Sequence, residues 1–361
     1  MRILHVITDL NIGGAEKLLV DLLPLLNGQS ETAELALFVG ERTPYLELIE
    51  RAGVKVHFFS STGSVYNPIN IIKLARLAKQ FDIVHAHNTA PQLYGSLVSI
   101  LRKTKLCTTE HTTTSHHRVW WFKPIERWMY SRYDCIICIS DGVKEALTTV
   151  CGDKLGSKTT IIPNGINIKA FQEASSIDKE TVSSHPQRKV ITMVGRCSYQ
   201  KDQATVIRAI SKLPDEYELW LVGDGDNLNN LRELAFHLGL DDRVIFLGSR
   251  SDVPGIMKAS DIIVQSSHIE GFGLAAIEGM ASGKPVIATD IPGLNKVVKG
   301  AGILFKHQDA ESLASIIERV MNDPHEYQML VEKGLERAYQ YDIHIMAAGY
   351  LRIYEDLLGS H

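Results

Sequence analysis

The sequence has few cysteines, no excess of positive charge and no long apolar run, and each absence excludes a class of protein. Its five cysteines in 361 residues are an odd, scattered set, unlike the disulfide framework of a small secreted domain. The net charge of −4 argues against a general nucleic-acid binder, which needs a basic surface. No stretch approaches the ~18 apolar residues of a membrane span, and the N-terminus lacks the features of a signal peptide. We therefore expect a cytoplasmic protein.

Two of the cysteines form a C-x-x-C motif, Cys135 and Cys138, inside the apolar run DCIICIS. This run is typical of a strand, on which side chains three residues apart point to opposite faces. The pair is therefore poorly placed to form a disulfide or to share a metal. We expect buried, reduced thiols and a reducing compartment.

The composition indicates a globular chain that is too long for one hydrophobic core. Hydrophobic residues make up 45% and charged residues 22%, close to the soluble average. Short β-branched runs alternate with longer amphipathic segments, which is typical of β-α units around a parallel sheet. The predicted strands are RILHVIT, LALFVG, VKVHFF, DIVHAH, KLCTTEH, CIICIS and TTIIPNG in the first half, and KVITMVG, ELWLVG, RVIFLG, DIIVQSS, KPVIATD and GILF in the second. The pattern predicts an α/β protein with two Rossmann-like doubly wound domains facing across a cleft.

Composition shifts along the chain predict the domain boundaries. We expect an N-terminal domain over 1–170 and a C-terminal domain over 189–340. The intervening stretch 171–188 is polar and lacks apolar periodicity, as a linker does. Residues 341–361 are predicted to form a helix that packs back toward the N-terminal domain.

The segment HIEGFGLAAIEGMASG, residues 268–283, places two glutamates around a glycine-rich turn after the strand DIIVQSS. LAAIEGMASG is typical of a helix, and its N-terminus near Gly271–Gly273 has exposed amides suited to a phosphate. Glu270 would repel a phosphate placed directly against it, so we expect it to face sugar hydroxyls. Glu278 lies more than one turn into the helix and could accept hydrogen bonds from a ribose diol. The alternative is a capping glutamate followed by a solvated one.

EGFGLAAIE resembles the signature of retaining glycosyltransferases of family 4, which have the two-domain GT-B architecture. Further segments occur in the family's order: GGAEK, IIPNGIN, GRCSYQKD, VGDGDNL, FLG and GMASGKPVIATDIPG. The resemblance spans most of the chain and is strongest over 190–305. It implies transfer of a sugar from a nucleotide diphosphate sugar, linked to UDP or GDP, with retention of anomeric configuration.

The resemblance also assigns roles to individual residues. Arg196 and Lys201 match the pair that binds the donor diphosphate, where their charges would stabilise the leaving phosphate; an ordinary surface pair is the alternative. Glu278 matches the ribose ligand. The group that holds the donor sugar and phosphates corresponds to Glu270, Gly271 and the backbone of Phe272, Gly273 and Leu274. Gly14, in the turn NIGGAEK after the first strand, could approach the donor, unless that turn is purely structural.

Three histidines lie at the ends of predicted strands. His111 ends KLCTTEH, and by resemblance it corresponds to the histidine near the donor sugar and the reacting centre. Glu110 alternates to the other face. His85 and His87 share one strand face, and His87 is the candidate for contact with the acceptor, with a structural role equally open. We predict no metal site here, because no third ligand is evident at useful spacing.

The expected reaction is a same-face displacement without a cofactor and without a divalent metal. Its acceptor would be a glycan or a lipid-linked glycan, in the synthesis of a surface polysaccharide or glycolipid. The alternatives are a GT-B nucleotide-sugar epimerase or phosphorylase, and a non-catalytic nucleotide-sugar sensor. Two positions depart from the family's pattern: Asn167 and Lys296 stand where acidic residues are common.

A basic and aromatic segment, residues 116–132, suggests a further partner. It combines three tryptophans and a phenylalanine with four Lys or Arg residues and one glutamate. Such segments can lie in the interface of an anionic membrane, with the protein peripheral on the inner face. Aromatic residues packed inside the first domain are an equally open interpretation.

Overall fold

The computed structural model describes residues 1–11, 13–28, 30–60, 64–101, 104–111 and 123–359. Its strands are β1 (Arg2–Ile7), β2 (Thr32–Leu37), β3 (Val56–Phe58), β4 (Ile83–His87), β5 (Lys105–Glu110), β6 (Cys135–Cys138), β7 (Thr159–Ile161), β8 (Lys189–Val194), β9 (Tyr217–Val222), β10 (Val244–Gly248), β11 (Ile262–Gln265), β12 (Val286–Thr289) and β13 (Ile303–Phe305). Each of them overlaps one of the apolar runs that predicted a strand.

The helices follow the strands in alternation. They are α1 (Gly14–Leu22), α2 (Pro44–Arg51), α3 (Ile69–Leu77), α4 (Thr89–Leu101), α5 (Lys123–Ser131), α6 (Asp141–Cys151), α7 (Ile168–Gln172), α8 (Gln203–Ile210), α9 (Leu228–His237), α10 (Val253–Ala259), α11 (Leu274–Ala281), α12 (Pro292–Val298), α13 (Ala310–Asn322), α14 (Pro324–Tyr339) and α15 (Ile343–Gly359). None of the helices within the described ranges is long and apolar enough to cross a membrane.

The strands form two parallel sheets, which confirms the predicted fold class. The seven-stranded sheet has the order β3-β2-β1-β4-β5-β6-β7, and the six-stranded sheet has the order β10-β9-β8-β11-β12-β13. The order reverses between β1 and β4 in the first sheet and between β8 and β11 in the second. In doubly wound sheets, ligands bind outside the carboxyl ends of the strands at such switch points.

The chain divides into two compact units. The first unit comprises Met1–Gly165 and Ile343–His361, and the second comprises Ile166–Asp342. Helix α15 thus belongs to the first unit, where Met346, Tyr350 and Tyr354 join the core around β1 and β4. In the second unit, β9 is buried along its whole length, as expected for a parallel strand covered on both faces.

The stretch that follows β7 contacts later elements of the second unit: α7 packs against α10 and α11, and the amide of Ile177 donates to the carbonyl of Gly255 at 3.2 Å. Phe171 is buried at the end of α7, and the side chain of Asn167 caps that helix by accepting a hydrogen bond from the amide of Ala170 at 3.1 Å. Asparagine is as good an N-cap as aspartate. The departure at Asn167 therefore preserves the local geometry.

None of the five cysteines, all of which lie in the described ranges, forms a disulfide, and Cys135 and Cys138 are buried on β6, as the sequence predicts. In the basic and aromatic segment, residues 116–122 lie outside the described residues. In its described part, Trp128 is 37% exposed. Arg127 donates to the carbonyl of Val150, and Arg132 donates to the hydroxyl of Ser99. Both guanidinium groups thus contact protein, and binding of a membrane stays a prediction.

Candidate active site

Glu270 lies in the loop after β11, and the structure gives it a partner that the sequence does not reveal. The ammonium of Lys201 donates to Oε2 of Glu270 at 2.5 Å, and the side chains of this ion pair are only 25% and 15% exposed. The amide of Gly271 donates to the other carboxylate oxygen at 3.2 Å. The hydroxyl of Ser267 lies 3.5 Å from Oε2. Glu270 is therefore held in place by a charge, an amide and a hydroxyl.

Gly273 begins helix α11 in a conformation that favours glycine. Its φ is +94°, and an added Cβ would lie 2.8 Å from Cδ2 of Leu294. The preceding residue, Phe272, is buried and packs edge-on against Tyr341, with ring centroids 5.4 Å apart. Any other residue at position 273 would therefore strain the backbone of this turn, which precedes the first amides of α11. Such an N-terminus favours an anion.

Glu278 is the fifth residue of α11 and is half-buried. It follows Glu270, which lies in the loop before the helix, by eight residues, so the two carboxylates have different surroundings. Glu270 is paired with a lysine at the loop, and Glu278 lies on the body of the helix. The different roles expected for the two glutamates stay a prediction.

Lys201 ends a short 3-10 turn, Tyr199–Lys201, between β8 and α8. The next residue, Asp202, has φ +52° and caps α8, and its carbonyl accepts a hydrogen bond from Ser266 at 2.7 Å. This bond ties the turn to the end of β11, the neighbour of β8 in the sheet. The strand reversal therefore brings Lys201 to Glu270. Arg196 lies in the same connection, with an exposed side chain.

Beside this turn lie two histidines that the sequence analysis overlooked. Nδ1 of His268 is 2.5 Å from Nε2 of His307 and 3.5 Å from a carboxylate oxygen of Asp202. The ligand atoms of these three side chains lie within 4.8 Å of one another, close enough to share a metal ion. No local signal predicts the cluster, because His307 follows β13 and His268 follows β11.

In the first unit, Gly14 is exposed and is the first residue of helix α1. Its predecessor Gly13 caps the helix with an extended backbone, φ −161°. Glu16, in the first turn of α1, accepts a hydrogen bond from the side chain of Asn88 at 3.4 Å, which ties α1 to the end of β4. This turn lies at the switch point of the first sheet, where Gly14 offers a bare backbone.

Four histidines of the first unit, at positions 5, 85, 87 and 111, form a cluster of neighbouring rings. His85 and His87 stack with centroids 4.4 Å apart, which confirms that they share a face of β4, and His5 pairs with His85 in the register of β1 and β4. Nδ1 of His5 lies 3.0 Å from Nε2 of His87, and Nδ1 of His87 lies 3.3 Å from Nε2 of His111. His87 is fully buried and both of its ring nitrogens have histidine partners. The partly exposed histidine of this row is His111.

Burial keeps the whole cluster neutral. It lowers the pKa of His5 to about 3 and that of His111 to about 4. The pKa values of His85 and His87 are also lowered well below 6.5, mainly by burial and further by the neighbouring histidines. At neutral pH each imidazole therefore carries one N–H.

His5 supplies the third histidine that the sequence analysis did not find, because it lies 80 residues before His85 on another strand. His5, His85 and His87 are close enough to share a metal ion. Their ring nitrogens are, however, all within hydrogen-bond distance of other protein groups. The absence of a metal here stays a prediction. Glu110, on the other face of β5, accepts a hydrogen bond from the buried hydroxyl of Tyr130.

Two family models match consecutive parts of the chain. The model for glycosyltransferase family 4 matches residues 12–170, and the model for glycosyl transferases group 1 matches residues 176–337. Between them they cover every strand of the two sheets except β1, and every site residue predicted from the sequence, from Gly14 to Glu278.

Several curated proteins are similar in sequence. The lipopolysaccharide core biosynthesis glycosyltransferase LpsE of Rhizobium meliloti is 32% identical over 205 residues, 56% of this chain and 58% of that relative, so the match spans little more than half its length. The UDP-Gal:alpha-D-GlcNAc-diphosphoundecaprenol alpha-1,3-galactosyltransferase of Escherichia coli is 28% identical over 84% of this chain and 87% of its own. The phosphatidyl-myo-inositol mannosyltransferase of Mycolicibacterium smegmatis is 27% identical over 78% and 72%.

Solved structures share the fold. HepE of Anabaena, solved in complex with UDP-glucose, superposes with a TM-score of 0.85 at 24% identity over 100% of both chains. Sucrose-phosphate synthase of Thermosynechococcus elongatus superposes with a TM-score of 0.80 at 21% identity over 100% of both chains. Since two family models match consecutive halves of the chain and its two parallel sheets match GT-B structures, the protein belongs to glycosyltransferase family 4.

Proposed function

We propose that the protein is a retaining glycosyltransferase that moves a sugar from a UDP-sugar to a glycan or lipid-linked acceptor, in the synthesis of lipopolysaccharide or another surface polysaccharide. The observation that carries the proposal is the ion pair of Lys201 and Glu270 beside the N-terminus of α11. A lysine and a helix N-terminus attract a diphosphate. A carboxylate beside them accepts hydrogen bonds from sugar hydroxyls.

The names and bound ligands of similar proteins favour UDP over GDP as the donor nucleotide. HepE was solved with UDP-glucose, and the Escherichia coli relative is named for UDP-galactose and a diphosphoundecaprenol acceptor. The relatives LpsE and LpsB of Rhizobium meliloti are named for lipopolysaccharide core biosynthesis. A lipid-linked acceptor lies at a membrane surface, and the basic and aromatic segment, residues 116–132, would bind that surface.

Each candidate residue of the second unit binds one part of the donor. Lys201 and Arg196 bind the diphosphate together with the backbone of Gly271, Phe272, Gly273 and Leu274. Glu270 binds hydroxyls of the transferred sugar, and Glu278 binds the ribose. In the first unit, Gly14 offers its backbone to the donor, His111 lies near the reacting carbon, and His87 acts on the acceptor side through its contact with His111.

The reaction proceeds on one face of the sugar. The bond from the anomeric carbon to the leaving phosphate oxygen breaks, and the acceptor oxygen bonds to the same face of that carbon. The acceptor proton passes to the leaving phosphate, which departs as part of the nucleoside diphosphate. Lys201 and Arg196 stabilise the charge on the phosphate in the transition state. With two cations and a helix N-terminus, the diphosphate needs no divalent metal.

A thermal-shift screen of UDP- and GDP-sugars tests donor binding, because a ligand stabilises only the state that it binds. One UDP-sugar should raise the melting temperature in a concentration-dependent way, and Lys201→Met should remove most of that rise. Lys212→Met is the matched control, since Lys212 forms an exposed ion pair with Glu311 on the same unit. No response to any UDP- or GDP-sugar would refute the proposal.

Transfer itself is tested with the donor found in the screen and a panel of glycan and lipid-linked acceptors. Release of the nucleoside diphosphate should require the acceptor, the product should keep the anomeric configuration by proton NMR, and EDTA should not reduce the rate. A sensor would bind donor without release, and an epimerase would change the sugar without acceptor. Inversion at the anomeric carbon would refute the retaining assignment.

A further inference from the structure

Seven polar side chains of the first unit form one continuous hydrogen-bonded chain, which ends at His111. Its six links are Tyr350 hydroxyl to Thr109 Oγ1 (2.8 Å), Thr109 Oγ1 to His85 Nε2 (2.8 Å), His85 Nδ1 to Tyr354 hydroxyl (2.6 Å), Tyr354 hydroxyl to His5 Nε2 (3.4 Å), His5 Nδ1 to His87 Nε2 (3.0 Å) and His87 Nδ1 to His111 Nε2 (3.3 Å). The first six groups of the chain, from Tyr350 to His87, are fully buried.

Every group inside the chain takes part in two links but has only one hydrogen to donate. This holds for the hydroxyls of Thr109 and Tyr354 and for each neutral imidazole. Each link needs one hydrogen, and a neutral imidazole accepts at one nitrogen and donates at the other, so the two links on either side of an imidazole run in the same direction. Only a hydroxyl, Thr109 or Tyr354, can accept from both neighbours and reverse the direction, and its own hydrogen then stays outside the chain. The link between His87 and His111 therefore points either toward His111, with all six links aligned, or away from it.

The two arrangements give His111 opposite properties. In one, every group donates toward His111, so Nε2 of His111 accepts from His87 and its proton is on Nδ1. In the other, His111 donates to His87, so Nε2 carries the proton and Nδ1 is an acceptor. The direction of the chain thus decides whether His111 offers a donor or an acceptor at its second nitrogen.

The buried end of the chain selects between them. Tyr350 is fully buried, and in the described part of the chain its hydroxyl has Thr109 as hydrogen-bond partner. If the last link pointed away from His111, one buried hydroxyl hydrogen, on Tyr350, Thr109 or Tyr354, would be left without an acceptor in the chain, which is costly in a buried site. Running toward His111, the chain uses every hydrogen. We infer that the chain runs from Tyr350 to His111 and holds His111 as the Nδ1–H tautomer, a neutral hydrogen-bond donor.

Since His5, His85 and Tyr354 are buried behind His87, they act as positioning residues for His111. Their pKa values fit this role, because burial keeps the imidazoles neutral and raises the pKa of Tyr354 well above 10. Where the proposed function holds, the Nδ1–H of His111 faces an oxygen of the donor sugar or phosphate. A neutral donor of fixed direction there stabilises negative charge without giving up its proton.

The tautomer is tested without substrate, by NMR of protein labelled with 15N-histidine at pH 7.5. In the wild-type protein, Nδ1 of His111 should have the shift of a protonated nitrogen and Nε2 that of an unprotonated one. Tyr354→Phe removes two links from the middle of the chain, so His111 should become a mixture of tautomers. Tyr327→Phe is the matched control, because that hydroxyl donates to the carbonyl of Asp261 in the second unit and lies outside the chain; its spectrum should match the wild type.

A wild-type His111 protonated on Nε2, or on both nitrogens at pH 7.5, would overturn the inference, and so would a Tyr354→Phe protein with unchanged His111 signals. The wild-type spectrum alone decides the direction of the chain if that variant does not fold. Transfer assays of the same variants then separate the two proposals. If Tyr354→Phe loses the single tautomer of His111 but transfers sugar normally, the positioning role is refuted. If the wild-type protein neither binds nor transfers a sugar, the proposed function is refuted, but the NMR result on the tautomer of His111 still holds.

Discussion

The two units build their candidate residues at the same place in the fold but with opposite chemistry. In the first unit, the switch point between β1 and β4 collects neutral histidines that burial keeps from protonation. In the second, the switch point between β8 and β11 collects a lysine and a glutamate that remain paired and partly exposed. One architecture thus supports a neutral hydrogen-bonding site and a charged site, and the difference lies in the side chains that each strand end carries.

The rate of sugar transfer should depend more strongly on a single side chain of the charged site than on one of the neutral site. Lys201→Met should lower kcat/KM for sugar transfer by about 100- to 1000-fold, because it removes a charge aimed at the leaving phosphate. It also leaves the carboxylate of Glu270 without its cation. The measurement is steady-state kinetics with the donor found by thermal shift. Lys212→Met should keep wild-type kinetics, and a loss of less than about fivefold in Lys201→Met would contradict the assignment.

The contribution of the neutral site to the free energy of unfolding should depend on pH. A histidine in the unfolded chain titrates near 6.5, whereas His5 titrates at about 3 when folded. Between these values the unfolded state binds more protons, so the free energy of unfolding falls as pH falls through this window. From pH 7.5 to pH 5 the loss is about 2 kcal/mol for each histidine that stays neutral in the folded state.

His5→Gln should therefore lose about 2 kcal/mol less stability than the wild type over that range. Urea denaturation at the two pH values measures the difference. His237→Gln is the matched control, since His237 is exposed at the end of α9. Equal losses in His5→Gln and the wild type would mean that His5 does not stay neutral in the folded protein.

The smallest expected difference between the two units is in the stability lost when a glycine, Gly273 or Gly13, is replaced by alanine. Gly273 has φ +94°, so Gly273→Ala should lower the free energy of unfolding by about 1–2 kcal/mol, and it should also weaken donor binding. Gly13 has an extended backbone that any residue adopts, and the atoms nearest to an added Cβ are those of the Glu16 carboxylate, at the far end of a side chain that can rotate away. Gly13→Ala should cost less than Gly273→Ala. Thermal and urea denaturation of the two variants measure this difference, and equal costs would contradict it.

The strands and many local features could be predicted from the sequence because they depend on short-range patterns. Apolar β-branched runs become strands wherever a sheet is covered on both faces. The start of helix α11 near Gly273 follows from the glycine-rich turn before a helix of small residues. The shared face of His85 and His87 follows from the two-residue period of a strand. Each of these features is decided within about ten residues of chain.

The contacts that define both sites were decided by tertiary structure. Lys201 and Glu270 are 69 residues apart in sequence, and they meet because β8 and β11 are neighbours at the strand reversal. His5 and Tyr354 are 349 residues apart, and they meet because α15 returns to the first unit. No local pattern records which strands become neighbours, since that depends on how the whole set of apolar faces is buried at once. The sequence by itself determined the strands and the chemical groups at their ends, and the tertiary structure decided which of those groups share hydrogens and charge.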